Sequence, residues 1–404
     1  MSAVTARKPA LPSWLYVLFL ALLATATDEF IIAGVLPGIA DDLGVEVSAA
    51  GQLVTVFAVV YAVGAPSLAV ICERFPRRPV MVSALGVFAL ANAAAAVAPG
   101  YWWLMAARVA AALAAAVIAS AAFATAGAGA PPQEQGRYLA VVTAGMTAAL
   151  FTGVPLGTWL GGAVGWRATF WLIAGVGLVA MAGLLTTAPR IPGGRAAPLR
   201  ERLAPLGDLG VLRLVLVTFL AASGGLMFYT YLAAYAREVA DGSSAVLTLL
   251  LFLVGIAGLV GALLAGRITD AWGPRRSLRI VLGGHAASLV LAAALVFSGA
   301  GSTFLLSVVI GCWALFAWGL TPPVQGSILL AAGPGAGMTA LALNISGLYL
   351  GTGVAGAVGG VVINTAGIPY LPVAAAILMA LSFSLACVPA RTVGELDAPA
   401  AART

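Results

Sequence analysis

Glu73-Arg74-Phe75-Pro76-Arg77-Arg78 and Asp270-Ala271-Trp272-Gly273-Pro274-Arg275-Arg276 share one pattern, an acid, a turn former and paired arginines, each set between two long apolar runs. Working outward from them, apolar runs bounded by Gly, Pro or charge number twelve, at about 14–36, 50–71, 79–98, 101–124, 137–161, 168–188, 211–235, 245–266, 277–298, 303–330, 337–362 and 369–388. Each approaches the ~20 apolar residues that cross a bilayer as a helix. The first motif follows run two and the second follows run eight, so the chain reads as a sixfold unit written twice. The expected organisation is an N-terminal six-helix bundle over 1–188, a cytoplasmic linker rich in Pro, Gly and Arg over 189–210, and a C-terminal six-helix bundle over 211–404. The fold class is an all-α membrane protein, twelve transmembrane helices in two pseudo-symmetric bundles. Such duplication around a midplane site suits a transporter that rocks between two openings.

Composition agrees. Of 404 residues, 62% are hydrophobic and 8% charged, where soluble domains carry about a quarter. That excludes a water-soluble globule, and the charges are too sparse for a surface that tracks nucleic-acid phosphates. The 49 glycines fit membrane helices that approach closely. Cys72, Cys312 and Cys387 are scattered through apolar stretches and read as packing residues rather than a disulfide framework. The run from Trp14, preceded by Arg7 and Lys8, holds Asp28 and Glu29 where a signal peptide would carry small residues, so it reads as a retained span.

The basic residues fix an orientation. With both termini cytoplasmic, 17 of 20 lie inside: Arg7, Lys8, Arg74, Arg77, Arg78, Arg137, Arg190, Arg195, Arg200, Arg202, Arg213, Arg267, Arg275, Arg276, Arg279, Arg391 and Arg403. Arg167 and Arg237 lie outside, and Arg108 falls within the fourth run. This is the positive-inside pattern, and it requires an even number of spans. The first external loop is acidic, with Asp41, Asp42 and Glu46.

Asp28, Glu29 and Arg108 are the ionisable groups deep in runs, with His285 a fourth. A charge at mid-bilayer costs about 2.5–3.5 kcal/mol even on the lenient insertion scale, so such groups face a cavity or a partner. Asp28 and Glu29 stand about 100° apart around a helix, so one can face a cavity while the other pairs with a neighbour; which of them carries a proton stays open. His285 has no second ligand nearby and reads as a hydrogen-bonded core histidine, so no metal is expected. Candidates for lining an apolar substrate pocket are Gln52, Thr55, Met146, Phe228, Tyr229, Tyr231, Trp313, Trp318, Asn344 and Tyr349. In the last six runs the charged residues, Arg213 and Arg279, stand only at the ends, so none is available to substrate within the membrane, which favours neutral or weakly charged cargo. In run five, Pro155 removes a helix hydrogen bond between Gly153 and Gly157, which permits a bend and close packing. Gly351-Thr352-Gly353-Val354-Ala355-Gly356 spells a dinucleotide fingerprint but lies inside an apolar run with no preceding strand, so it reads as helix packing. No cofactor and no enzymatic activity are expected.

The paired loop motifs resemble those of the major facilitator superfamily. The likeness covers essentially the whole chain, although the first copy carries Ala69, Glu73 and Pro76 where Gly, Asp and Gly are usual. Gly145 and Gly153-Val154-Pro155-Leu156-Gly157, with Gly161-Gly162, Trp166-Arg167-Ala168-Thr169-Phe170, Thr27-Asp28-Glu29-Phe30 and Pro37, resemble the twelve-span drug:proton antiporters, especially the actinobacterial chloramphenicol exporters. The resemblance implies proton-coupled efflux of small, mostly apolar compounds from a monomer in the cell membrane, with an antibiotic such as chloramphenicol as cargo. It implies coupling by Asp28, Glu29 and Arg108, Glu29 matching the family's acid before Phe. It also implies cytoplasmic gating by Glu73, Arg77, Arg78, Asp270, Arg275 and Arg276. Exporters of sugars or purine nucleosides share much of the pattern, and a non-transporting membrane receptor on the same fold is the rival of another class.

Overall fold

A computed structural model of the chain describes residues 11–131, 134–193, 199–240, 243–299, 301–333 and 336–388. Arg7, Lys8, Arg195, Arg391 and Arg403 of the orientation argument fall outside these residues, as does the side chain of Glu73. Among the described residues, twelve helical stretches are long and apolar enough to cross a membrane: Ser13–Phe30, Val47–Leu68, Arg77–Ala96, Tyr101–Gly129, Arg137–Val164, Trp166–Thr187, Leu209–Thr230, Ser244–Trp272, Pro274–Ser298, Thr303–Ala332, Thr339–Thr365 and Ile368–Cys387. They are numbered one to twelve below.

The packing repeats with a period of six spans. Span one packs on five and six, two on four, and three on six; correspondingly, seven packs on eleven and twelve, eight on ten, and nine on twelve. The halves join through two symmetry-related seams, two against eleven and five against eight. Glycine permits the closeness. A Cβ at Gly255 of span eight would collide with the backbone of Leu150 and Phe151 in span five, and one at Gly356 of span eleven would collide with Thr55 of span two.

Several boundaries differ from the sequence expectation for local reasons. The helix of span one turns at Ile31 and continues as Ile32–Leu43, so Asp41 and Asp42 lie on its last turn rather than in a loop. Pro37 has no N–H for the Ala33 carbonyl, and the ladder shifts one turn earlier, where Gly34 N donates to Ile31 O. Span seven breaks at the equivalent place, Tyr231, and resumes as Leu232–Val239. The two loop motifs also part. Asp270 lies inside the helix Ser244–Trp272, which Gly273 ends at φ 78°, while the first copy ends at Glu73 and turns through Pro76 with no positive φ. Only the second copy therefore requires glycine.

In span five the bend expected at Pro155 takes the form of a π-helical turn, Ala149–Gly153, immediately before the proline. The wider turn makes room for a ring that would otherwise strike the preceding carbonyl. Cys312 and Cys387 are exposed on the outer surface rather than packed, and Cys72 is half-buried.

Candidate functional site

The break at Ile31 places two adjacent acids in different surroundings. Asp28 points into the first six spans and pairs with Arg108 Nη1 of span four at 2.6 Å, both side chains being essentially inaccessible. The guanidinium also lies over the Phe57 ring, 4.3 Å from its centroid, and its Nε and Nη2 have no hydrogen-bond partner among the described residues. Asn92 of span three stands beside the Asp28 carboxyl and anchors itself to Phe88 O at 3.0 Å. Two opposite charges, a ring face and an amide thus share a buried interior, where a charge without its partner would be costly.

Glu29, 100° further round the helix, faces the other way. It lines a narrow cleft where the two halves meet, with Phe30, Ala33, Val54, Phe57 and Ala58 from spans one and two and Leu226, Tyr229, Thr230 and Thr352 from spans seven and eleven. Tyr349 of span eleven donates its hydroxyl to Glu29 Oε2 at 2.9 Å, and Tyr61 of span two stacks on Tyr349 with centroids 3.9 Å apart. The carboxyl is therefore held from the opposite half. Tyr229 of span seven donates to Phe30 O at 3.2 Å, a carbonyl released when Gly34 N turned to Ile31 O. Phe30, Tyr229 and Trp318 close the wall, with ring centroids 5.8 Å (Phe30–Tyr229) and 5.6 Å (Tyr229–Trp318) apart. The cleft has a volume of about 20 Å³, room for a water or two and no more.

Of the sequence candidates, Tyr229 lines the cleft, Tyr349 bonds its carboxyl and Trp318 backs its wall. Gln52 and Thr55 sit in the seam between spans two and eleven, packed on Gly360 and Gly356. Tyr231 fills the same seam from the break in span seven and donates to Gly356 O at 2.8 Å. Phe228 and Trp313 pack edge to face, fully buried within the second half. Asn344 is buried on span eleven with its Oδ1 unbonded, and Met146 is half-buried on span five. His285 differs from the expectation of a hydrogen-bonded side chain: it is buried between Gly225 and Trp313, and neither ring nitrogen has a partner among the described residues.

The sequence reading did not name Phe30, Val54, Phe57, Tyr61, Asn92 or Thr352 as residues around a substrate pocket or an embedded charge. Val54, Phe57 and Tyr61 recur at helical spacing on one face of span two, a signal that could have exposed them.

Gly153 and Gly157 serve this site at one remove. A Cβ at Gly153 would collide with Thr27 Oγ1, and one at Gly157 would lie 2.7 Å from Ile31 Cδ1, so the glycines let span five press on span one beside both acids. Among the gating candidates, Arg78 donates to Leu185 O of span six and Arg276 lies over Trp272, each within its own half. Arg77 N donates to Ile191 O. Asp270, Arg275 and Arg276 make no ion pair among the described residues.

The cleft is thus walled by both halves, at the crossing of spans one, two, seven and eleven. The family model of the Major Facilitator Superfamily matches residues 18–336. The chain belongs to the major facilitator superfamily. It is thus a multi-pass membrane transporter and not an enzyme. It is 34% identical to the MFS-type transporter YbcL of Bacillus subtilis over 350 residues, 87% of this chain and 88% of that protein. It is 36% identical to a chloramphenicol resistance protein of Streptomyces lividans over 267 residues, 64% and 67% of the two chains. In fold it resembles a bacterial homologue of the human lysosomal transporter Spinster, solved inward-facing and unoccupied, with a TM-score of 0.66, 17% identity and coverage of 94% and 97%.

Proposed function

We propose that the chain exports small, mostly apolar compounds in exchange for protons by alternating access. The hydrogen bond from Tyr349 to Glu29, made across the junction of the two halves, carries this reading. Any movement that separates spans one and eleven breaks that bond, so the state of one carboxyl is tied to the arrangement of the whole molecule. Glu29 is the residue that accepts and releases the proton. Asp28, clamped by Arg108, is the fixed charge that keeps the span-one acids and span four in register. Arriving substrate takes the place of Tyr349 beside Glu29 and displaces the proton.

The apolar walls of Phe30, Val54, Phe57, Leu226 and Tyr229 suit an uncharged or weakly charged cargo. The Streptomyces lividans relative supports an amphenicol. The cleft is far too small for such a molecule, so loading follows separation of the halves on the side carrying the paired arginines. That side is cytoplasmic in this reading, with both termini inside a plasma membrane and the monomer as the working unit. Arg77, Arg78, Arg275 and Arg276, with Glu73 and Asp270, then close it in the alternate state.

Proton-driven efflux measured in Glu29→Gln and Asp28→Asn variants separately tests the assignment. The Glu29 variant is expected to lose gradient-driven efflux, and full transport in both variants would sink the coupling role.

A further inference from the structure

On the arginine-rich face of the first half, the end of span six and the segment that follows it fold back over the start of span three. Arg77 N donates to Ile191 O, and Arg78 reaches across to Leu185 O. Between them runs a groove of about 740 Å³ lined by Pro76, Arg78, Pro79, Val82, Ser83, Leu185, Arg190, Ile191 and Pro192. No carboxylate lines it among the described residues, and Arg190 is exposed with no ion pair among them. Further along spans three and six, Val87, Leu90, Leu178 and Val179 are exposed apolar residues.

We propose that this groove binds an anionic phospholipid, with the headgroup phosphate against Arg78 and Arg190 and an acyl chain along Val82 and Leu185. Charge and shape together select this occupant. Two guanidiniums without an acid between them ask for a phosphate, and Arg78 keeps donors available after serving Leu185 O, since a guanidinium carries five. A small anion satisfies the arginines and leaves most of the walls, which are apolar, in contact with water. A zwitterionic lipid brings its own cation to a site already doubly positive. Basic pockets between helix ends at this membrane depth have the chemistry of headgroup sites, each arginine contributing about a fivefold gain in binding. The lipid would lie over the first loop motif and the exit from span six, joining them at the point where the linker begins.

The test uses the purified full-length chain in nanodiscs of mixed phosphatidylglycerol and phosphatidylcholine, released into native mass spectrometry to count retained lipids. The wild type is expected to keep phosphatidylglycerol about twenty-five-fold in excess of its share, two arginines acting together. Arg190→Gln, which removes no bond among the described residues, is expected to cut the excess about fivefold. Ser83→Trp fills the groove without changing charge and is expected to abolish the excess as well. Equal retention of the two lipids by the wild type, or an undiminished phosphatidylglycerol excess in both variants, overturns the proposal. So does complete displacement of the lipid by inorganic phosphate, which would make the site one for a free anion.

Discussion

Arg108 and Asp28 are buried together at 2.6 Å, and the consequence is asymmetric. Removing one partner strands a buried charge, at about 3–5 kcal/mol, while replacing both by neutral groups of similar shape costs much less. Arg108→Met is therefore expected to lower thermal stability sharply, and Arg108→Met with Asp28→Asn to recover most of the loss. Unfolding of both variants followed by circular dichroism checks this, and an equal loss in both would contradict it. The identity of these groups was legible in the sequence, because a charge in an apolar run announces itself. Their division of labour was not. Adjacent residues on a helix diverge by 100°, but which direction faces the cleft depends on how span one is rotated, and neighbours set that rotation. The same holds for the aromatics. Tyr229 and Trp313 look alike in sequence, yet one reaches the cleft and the other is sealed within the second half.

Among the elements, span five shows how composition becomes geometry. Gly153 touches Thr27 directly, so a methyl group there must displace either the Thr27 side chain or the helix. Gly153→Ala is expected to destabilise by about 1–3 kcal/mol, the cost of overpacking. Thr27→Ala removes the clashing atoms and is expected to rescue it, and a double-mutant cycle reads the coupling. Purely additive effects would contradict the contact. The glycine-proline run foretold a bend, but not that a π-helical turn before Pro155 would absorb it, since turn width follows from packing against spans one and eight. A second device ties three connections on the arginine-poor face. Asp42, at the end of the helix beyond span one, accepts from Arg167 and from Trp166 Nε1 at 3.2 Å, and Arg167 donates onward to Ala98 O at 2.9 Å. Arg167, then the Trp166 indole, holds the Asp42 carboxyl below the ordinary carboxylate range. A lowered native pKa means this contribution is complete above about pH 4 and is lost as pH falls through the native value. Both groups are well exposed, so the effect is modest and screened by salt. Asp42→Asn is expected to flatten the acid limb of the stability profile at low salt, and an unchanged limb would contradict the link.

At the scale of the whole molecule, the twelve spans and their sixfold repeat were readable because hydrocarbon thickness and charge exclusion leave few alternatives. The pairing of spans was not readable, since it depends on small residues distributed over every helix. The halves close on each other through spans two with eleven and five with eight, and at the arginine-poor end Asn364 of span eleven donates to Glu46, just before span two, at 3.1 Å. In the proposed alternating-access cycle these contacts part while Glu29 exchanges its bond to Tyr349 for substrate. The most direct measurement is proton release from the purified protein, lightly buffered with a pH indicator, on addition of chloramphenicol. The wild type is expected to release protons in a saturable manner and Glu29→Gln to release none, with Asp28→Asn retaining the response. No release from the wild type with any exported compound, or undiminished release from Glu29→Gln, would contradict the assignment of Glu29 as the proton carrier.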